Sequence, residues 1–321
     1  MDEAIKVDVT LNVFGKPRQT ALALASLLRH SREHIQKIYL TIERQSPVYD
    51  TVQPFFLRDF SDAIEFFVPE HWLQIDEVEI NRLGNKAYRH SVRYQYAWEK
   101  SAAPYLLVLH NDIYFHKDII ADMLRDIGDA IAIGKVGQCW NCPAARGHVM
   151  ETLGINNGLA CRRNRYEEFR VDFEDLNRMY RYCIEHKEHC RPFLPKWSDE
   201  FRERPWPLPE CRVNETCCLI NLKTARKATV PYGKARPFGA YVSAGSHNMD
   251  LAVAWFRDVH HMGYHARNFE FSEYLTHFVG HQRLFNERDY REAEDMAADI
   301  LRTEYPEYAE LCRKAAPGLL D

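Results

Sequence analysis

The stretch Tyr105-Leu-Leu-Val-Leu109, followed at once by His110-Asn-Asp112, limits the possible folds more than any other part of this chain. Consecutive apolar residues bounded by polar ones read as a strand buried on both faces, and such strands belong to sheets covered by helices on both sides. Polar groups just past the end of that strand then stand at the carboxyl edge of an open α/β sheet, where ligands bind. His110 and Asp112 are the donor types that hold a hard or borderline cation. The competing reading is an ordinary turn, since Asn and Asp are common turn residues. The rest of the chain decides between them.

Val7 to Leu11 is a short apolar strand, Gly15-Lys-Pro17 a turn, and Thr20 to His30 a helix with apolar residues at helical spacing. Lys37 to Ile42 is the next strand, so these pieces form a βαβ unit of the kind that builds parallel sheets. Ala63 to Val68 offers a third strand, and Leu83 to Ser101 reads as one helix feeding the strand at Tyr105. Asp118 to Ile127 is an amphipathic helix with Asp118 at its start, and Ala130 to Val136 is another apolar segment. Regularity then loosens: Pro192, Pro195, Pro205, Pro207 and Pro209 break up residues 143 to 212. It returns with Thr216 to Ile220, a helix from Asp250 to Gly263, extended chain over 266 to 278, and a charged helix from Arg288 to Arg302 ended by Pro306. One α/β domain over 1–287 is expected, with halves at about 1–137 and 213–287, an insertion at 139–212, and a helical extension at 288–321.

At 321 residues and 46% hydrophobic, the chain is long enough to bury a large core. A formal net charge of −4 gives no basic footprint, so nucleic acid is not an expected partner. No stretch approaches the roughly 20 apolar residues of a membrane span, and Met1-Asp-Glu-Ala-Ile-Lys lacks the features of a signal peptide. A cytoplasmic location is the default expectation, with peripheral membrane association compatible with it. Eight of the nine cysteines fall between Cys139 and Cys218. Cys139-Trp-Asn-Cys142 and Cys183 to Cys190, with His186 and His189, have zinc-ligand spacing, but no second CxxC completes the set. Ordinary packing of small buried thiols is the favoured expectation. A dinucleotide fingerprint and a P-loop are both absent.

Taken in order, the segments resemble the GT-A fold glycosyltransferases, and specifically glycosyltransferase family 2. Val9 to Pro17 with Ala21 to Leu28 looks like that family's opening strand, aromatic-bearing turn and first helix. Ile38 to Ser46 is similar to its second strand, with Glu43 at the acidic position that contacts the nucleobase. Asn81-Arg-Leu-Gly84 looks like its Asn-x-Gly segment, and Tyr105 to Ile113 like its Asp-x-Asp metal strand with His110 in place of the first Asp. Cys217 to Ile220 resembles the strand bordering the acceptor. Asp250-Leu251, Arg257 and Gly263-Tyr264 resemble its late helix, and His277 to Gly280 the late histidine that completes the metal site. The likeness spans residues 7–137 and 214–281.

The resemblance implies an α/β, Rossmann-like, mostly parallel sheet flanked by helices, carrying a loop-rich insertion and a helical C-terminus. It implies transfer of a sugar, with inversion, from a nucleotide-diphosphate sugar such as a UDP- or dTDP-sugar. The acceptor would be a hydroxyl of a glycan, glycolipid or lipid-linked precursor. Asp112, His110 and His277 would hold a divalent cation, Mn or Mg, and Asn111 and Asp112 would also contact the nucleotide. Phe14 would stack the base, while Asn12, Glu43, Asn81, Arg82 and Gly84 would line the nucleotide site. Where the family has Glu-Asp ahead of its Asp-Leu pair, this chain has His247-Asn248, which leaves Asp250 or His247 as the base. Those substitutions keep open a second expectation, an inactive relative that binds a nucleotide-sugar or a glycan. In the insertion, Trp140, Tyr166, Tyr182, Trp197 and Trp206 are candidates for stacking on sugars or for a small core. Arg162, Arg163 and Arg165 would face an anionic acceptor or simply solvent.

Overall fold

The computed structural model describes residues 5–44, 54–73, 78–155, 166–188, 197–244, 247–278 and 286–320, with backbone only at 243, 244, 247 and 248. Seven strands form the main sheet: β1 (Val7–Val13), β2 (Ile35–Ile42), β3 (Ile64–Phe67), β4 (Tyr105–Leu109), β6 (Ala132–Val136), β7 (Val213–Asn221) and β10 (Ala266–Asn268). Their spatial order is β10-β6-β7-β4-β1-β2-β3. All neighbours run parallel except β7, which is antiparallel to both β4 and β6. Two small ladders complete the set: β5 (Ile113–Phe115) pairs with β11 (Leu275–His277), and β8 (Val242–Ala244) pairs with β9 (His247–Met249).

The run at 105–109 is the two-face strand its composition predicts. Leu106 and Val108 enter one apolar cluster and Leu107 and Leu109 another, as alternating side chains of a strand must. The second cluster takes in helix α1 (Pro17–Ser31), which lies against β5 and helix α10 (Glu287–Glu304). The first takes in helices α2 (Lys86–Ser91), α3 (Gln95–Lys100), α8 (Leu222–Ala228) and α9 (Val253–His261). Met150, Tyr180, Trp197, Phe201 and Trp206 of the insertion belong to that same cluster. The insertion, with helices α5 (Gly147–Thr152), α6 (Phe173–Glu185) and α7 (Asp199–Glu203), therefore thickens one face of the sheet. Helices α4 (Ile120–Asp126) and α11 (Pro306–Ala315) lie near the other face, and proline opens both α1 and α11, where its missing N–H costs nothing.

One expected helix is two. Residues 83 to 101 divide into α2 and α3, because Val92 is extended and Tyr94 is left-handed at φ 64. Arg93, between them, pairs through its backbone with Gly239. A β-carbon at Gly239 would run into the Arg93 carbonyl, so only glycine admits this approach. The apolar spacing that suggests one helix does not survive here, and the backbone contact made between the two helices lies about 146 residues away in the chain and leaves no local mark.

The strand order changes direction at β1, since β2 and β3 lie on one side of it and β4 on the other. In open α/β sheets such a switch leaves a crevice at the carboxyl ends, suited to a ligand. Asn12, Glu43 and His110 all stand at this edge, at the ends of β1, β2 and β4.

Candidate active site

The β4 exit and the β5/β11 ladder bring three expected residues together. His277 pairs with Ile113 in register, and the Phe278 amide donates to the Asp112 carbonyl at 2.9 Å, which fixes β11 beside the exit of β4. His277 Nε2 then lies 3.1 Å from Asp112 Oδ1, and His110 Nδ1 lies 3.8 Å from the same oxygen. One donor atom from each of His110, Asp112 and His277 falls within 4.8 Å of the others, close enough to share an ion. Two imidazoles and a carboxylate suit a divalent transition metal, and a partly wet mouth leaves room for further oxygen ligands. Asn111 turns inward: its amide donates to the Gly15 carbonyl and to Thr20 Oγ1, both at 2.9 Å, pinning the β1–α1 turn to the β4 exit.

Three charged residues absent from the sequence reading complete this part. Lys16 Nζ lies 2.5 Å from Asp112 Oδ2. Glu215, on β7, has Oε1 at 3.5 Å from His110 Nε2 and Oε2 at 2.8 Å from Arg212 Nη1. His110 is thus gripped on the far side of the cluster by a carboxylate, an arrangement that orients a metal-ligating imidazole. Burial would raise the Asp112 carboxyl, but the His277 hydrogen bond and the Lys16 charge outweigh it and hold it well below the usual range. Burial opposes ionisation of Glu215 too, yet Arg212 and His110 bring its carboxyl down to about 2. Lys16 sits in the Gly-Lys-Pro turn, read as a turn only. Arg212-Val-Asn-Glu215 has a three-residue spacing at a strand entry, which sequence offers no reason to single out.

At the ends of β1 and β2, Asn12 Nδ2 donates to Glu43 Oε1 at 2.6 Å, and Arg93 Nε reaches the same oxygen at 3.2 Å. The Arg93 guanidinium also lies over the Phe14 ring, 5.1 Å from its centre. Asn12 Oδ1, Glu43 Oε2 and Arg93 Nη2 are buried and have no hydrogen-bond partner among the described residues. Such atoms are costly unless something pairs with them. Asn12, Glu43 and Arg93 thus form one linked polar group beside the half-buried Phe14 ring at the carboxyl edge of the sheet.

Asp250 lies across the mouth. Its Oδ2 accepts from Gln138 Nε2 at 3.1 Å and meets Arg212 Nη2 at 3.2 Å, and its Oδ1 accepts from the Leu251 amide. With a side chain 37% exposed, it remains open to solvent. Arg212 therefore links Asp250 to Glu215, and through Glu215 to His110. The His247 side chain lies outside the described residues. Asn81, Arg82 and Gly84 are exposed; Arg82 engages Glu79 at 2.7 Å and lies over the Tyr88 ring, within its own segment.

In the insertion, Tyr166, Trp197 and Trp206 are buried core residues, whereas Trp140 is 63% exposed. Among the described residues, neither side-chain group spaced to hold a metal contains a cysteine, and Cys142 and Cys183 are packed in the core. Cys161, His189, Cys190, Arg162, Arg163 and Arg165 lie outside the described residues. No described helix is long and apolar enough to cross a membrane.

No family model matches this sequence. No curated protein matches it either. Among solved structures, it is similar to the mannosyltransferase PcManGT from Pyrobaculum calidifontis in complex with GDP-Man and Mn2+, at 9% identity and TM-score 0.45, covering 98% of this chain and 74% of that one. A second is S. aureus TarS 1–349 in complex with UDP-GlcNAc, at 10% identity and TM-score 0.41, covering 97% and 71%. A third is the galactosyltransferase LgtC in complex with donor and acceptor sugar analogs, at 12% identity and TM-score 0.35. The match to LgtC covers 69% of this chain and 60% of that protein.

Proposed function

We propose that this chain is a glycosyltransferase of GT-A architecture that moves a sugar from a nucleoside-diphosphate sugar to a hydroxyl of a glycan, glycolipid or related precursor. The observation that carries the reading is the convergence of His110, Asp112 and His277 within ion-sharing distance at the switch point of the sheet. The linked polar side chains of Asn12, Glu43 and Arg93 beside the Phe14 ring support it, because they combine donors and acceptors next to an aromatic face, the chemistry that a nucleobase needs.

Each residue then has a task. Asn12, Glu43 and Arg93 bind the base edge, and Phe14 packs its face. Asp112, His110 and His277 would hold a divalent cation, Mn or Mg, which when bound neutralises charge developing on the departing diphosphate. Glu215 keeps His110 turned toward the cluster, and Lys16 supplies a further positive charge to the diphosphate. Asp250 accepts the proton of the acceptor hydroxyl as its oxygen attacks the anomeric carbon, and the sugar inverts. Gln138 and Arg212 position that carboxylate. Within the domain proposed over 1–287, residues 139–212 would carry acceptor contacts, Trp140 foremost among them.

The test is release of nucleoside diphosphate from a panel of UDP-, dTDP- and GDP-sugars, with Mn2+ or Mg2+ and with chelator. Turnover that requires the ion and rises with an acceptor glycan is the expected outcome. Binding of a donor with no turnover on any acceptor would instead make the protein a nucleotide-sugar binder.

A further inference from the structure

Resting on the diphosphate and cation reading above, we propose that Lys16 makes divalent-cation binding conditional on the donor. It neutralises Asp112 while no diphosphate is present and pairs with the diphosphate once one arrives.

The backbone is the first sign. Lys16 is left-handed at φ 60 and ψ 53, between Gly15 and Pro17. A β-carbon is crowded in that region, and a following proline favours extended chain instead. Glycine or asparagine would sit there with less strain. Strain retained at a ligand edge indicates that the side chain itself is needed. The geometry shows for what: Nζ is 2.5 Å from Asp112 Oδ2, with both side chains under a tenth exposed. The other carboxylate oxygen, Oδ1, faces the two histidines.

The charge balance follows from these positions. Asp112 carries one negative charge, Lys16 one positive, and imidazoles that bind a cation are neutral. Glu215 and Asp250 share Arg212, at 2.8 and 3.2 Å, and neither carboxylate contacts the Asp112 oxygens. Within the His110–Asp112–His277 cluster, a divalent ion entering alone therefore meets a carboxylate already neutralised and a nearby ammonium, whose repulsion is strong where water is scarce. A diphosphate reverses this, because its oxygens can serve both the ion and the ammonium. The flexible lysine stem allows Nζ to move from the carboxylate to a phosphate oxygen.

Mn2+ binding, followed by the electron paramagnetic resonance signal of the free ion, tests this with and without UDP or GDP. The wild type should bind Mn2+ weakly alone and about tenfold or more tightly with nucleotide, a coupling of ordinary allosteric size. Lys16→Asn, which suits the left-handed backbone, should bind Mn2+ alone about tenfold more tightly than the wild type and lose most of the nucleotide effect. Lys16→Arg, keeping the charge, should follow the wild type. Circular dichroism identical to the wild type excludes misfolding. If Asp112→Asn abolishes Mn2+ binding while Lys16→Asn leaves affinity for Mn2+ alone unchanged or weaker, the role of Lys16 is overturned and the cation site stands. Mn2+ binding that survives Asp112→Asn overturns the cation site and this proposal together.

Discussion

Glu215 is buried between the Arg212 guanidinium and the His110 ring, whereas the Asp250 carboxylate stands at the open mouth. Its folded value near 2 lies below its ordinary 4.5, so its contribution to stability is present above about 4.5 and is lost as pH falls toward 2. Glu215→Gln should flatten the acid-unfolding curve in that window, followed by circular dichroism. A side chain held so firmly ionised is a poor proton acceptor and a good anchor, so the same variant should weaken Mn2+ binding by about 10–100-fold, as loss of a histidine-orienting partner does. Asp250 is open to solvent, where an acceptor hydroxyl can reach it. Asp250→Asn should leave donor binding intact and cut transfer by about 10²–10⁴-fold; unchanged transfer would move the base role to another group, such as His247. Sequence exposed the polar residues at strand ends, because strand ends can be read from apolar runs. It did not expose Lys16, Arg93, Arg212 or Glu215, which matter through partners distant in the chain.

The elements around the site begin abruptly. Lys16, Tyr94 and Ala252 are all left-handed, at φ 60, 64 and 64, and each is the residue just before a helix: α1, α3 and α9. Beside each stands a group that faces the site: Lys16 itself, Arg93, and Asp250 two residues earlier. A sharp turn into a helix lets a strand or loop present a side chain at the edge before the chain departs. Helical periodicity reports the face of a helix and says little about such entries, which is why α2 and α3 were expected as one. Gly239→Ala should test the tightest of them. Displacing the Arg93 backbone should destabilise the fold by about 1–3 kcal/mol, as overpacking does, and weaken nucleotide binding more than Mn2+ binding. Denaturant melts and nucleotide titration read the two effects separately.

Across the whole molecule, the last helices serve the first. The amides of Arg18 and Gln19, in the opening turn of α1, donate at 2.9 and 3.1 Å to the Glu294 carboxylate of α10. The Lys16 amide donates to the Tyr290 hydroxyl at 3.1 Å, and Pro17 has no N–H to place. Helix α10 therefore caps α1 from outside, and Glu294→Ala should cost about 1–3 kcal/mol, the penalty for leaving such donors unpaired. A fall in the thermal midpoint together with weaker nucleotide binding is expected, because the same turn carries Lys16. Nothing in the composition of residues 288 to 302 announces this; the charged face reads as solvated until its partner is known. The sheet and its helices were readable because burial leaves a periodic record. Pairing between distant segments leaves none.

Many proteins with a helix after the first strand let the bare amides of that helix receive a phosphate. In this chain that positive helix end is already occupied from within. Recognition of an anion at this edge thus falls to side chains, and side chains are the part of a protein that single substitutions rewrite. A scaffold wired in this way can drift between donor chemistries, or be redirected by design, without rebuilding its backbone.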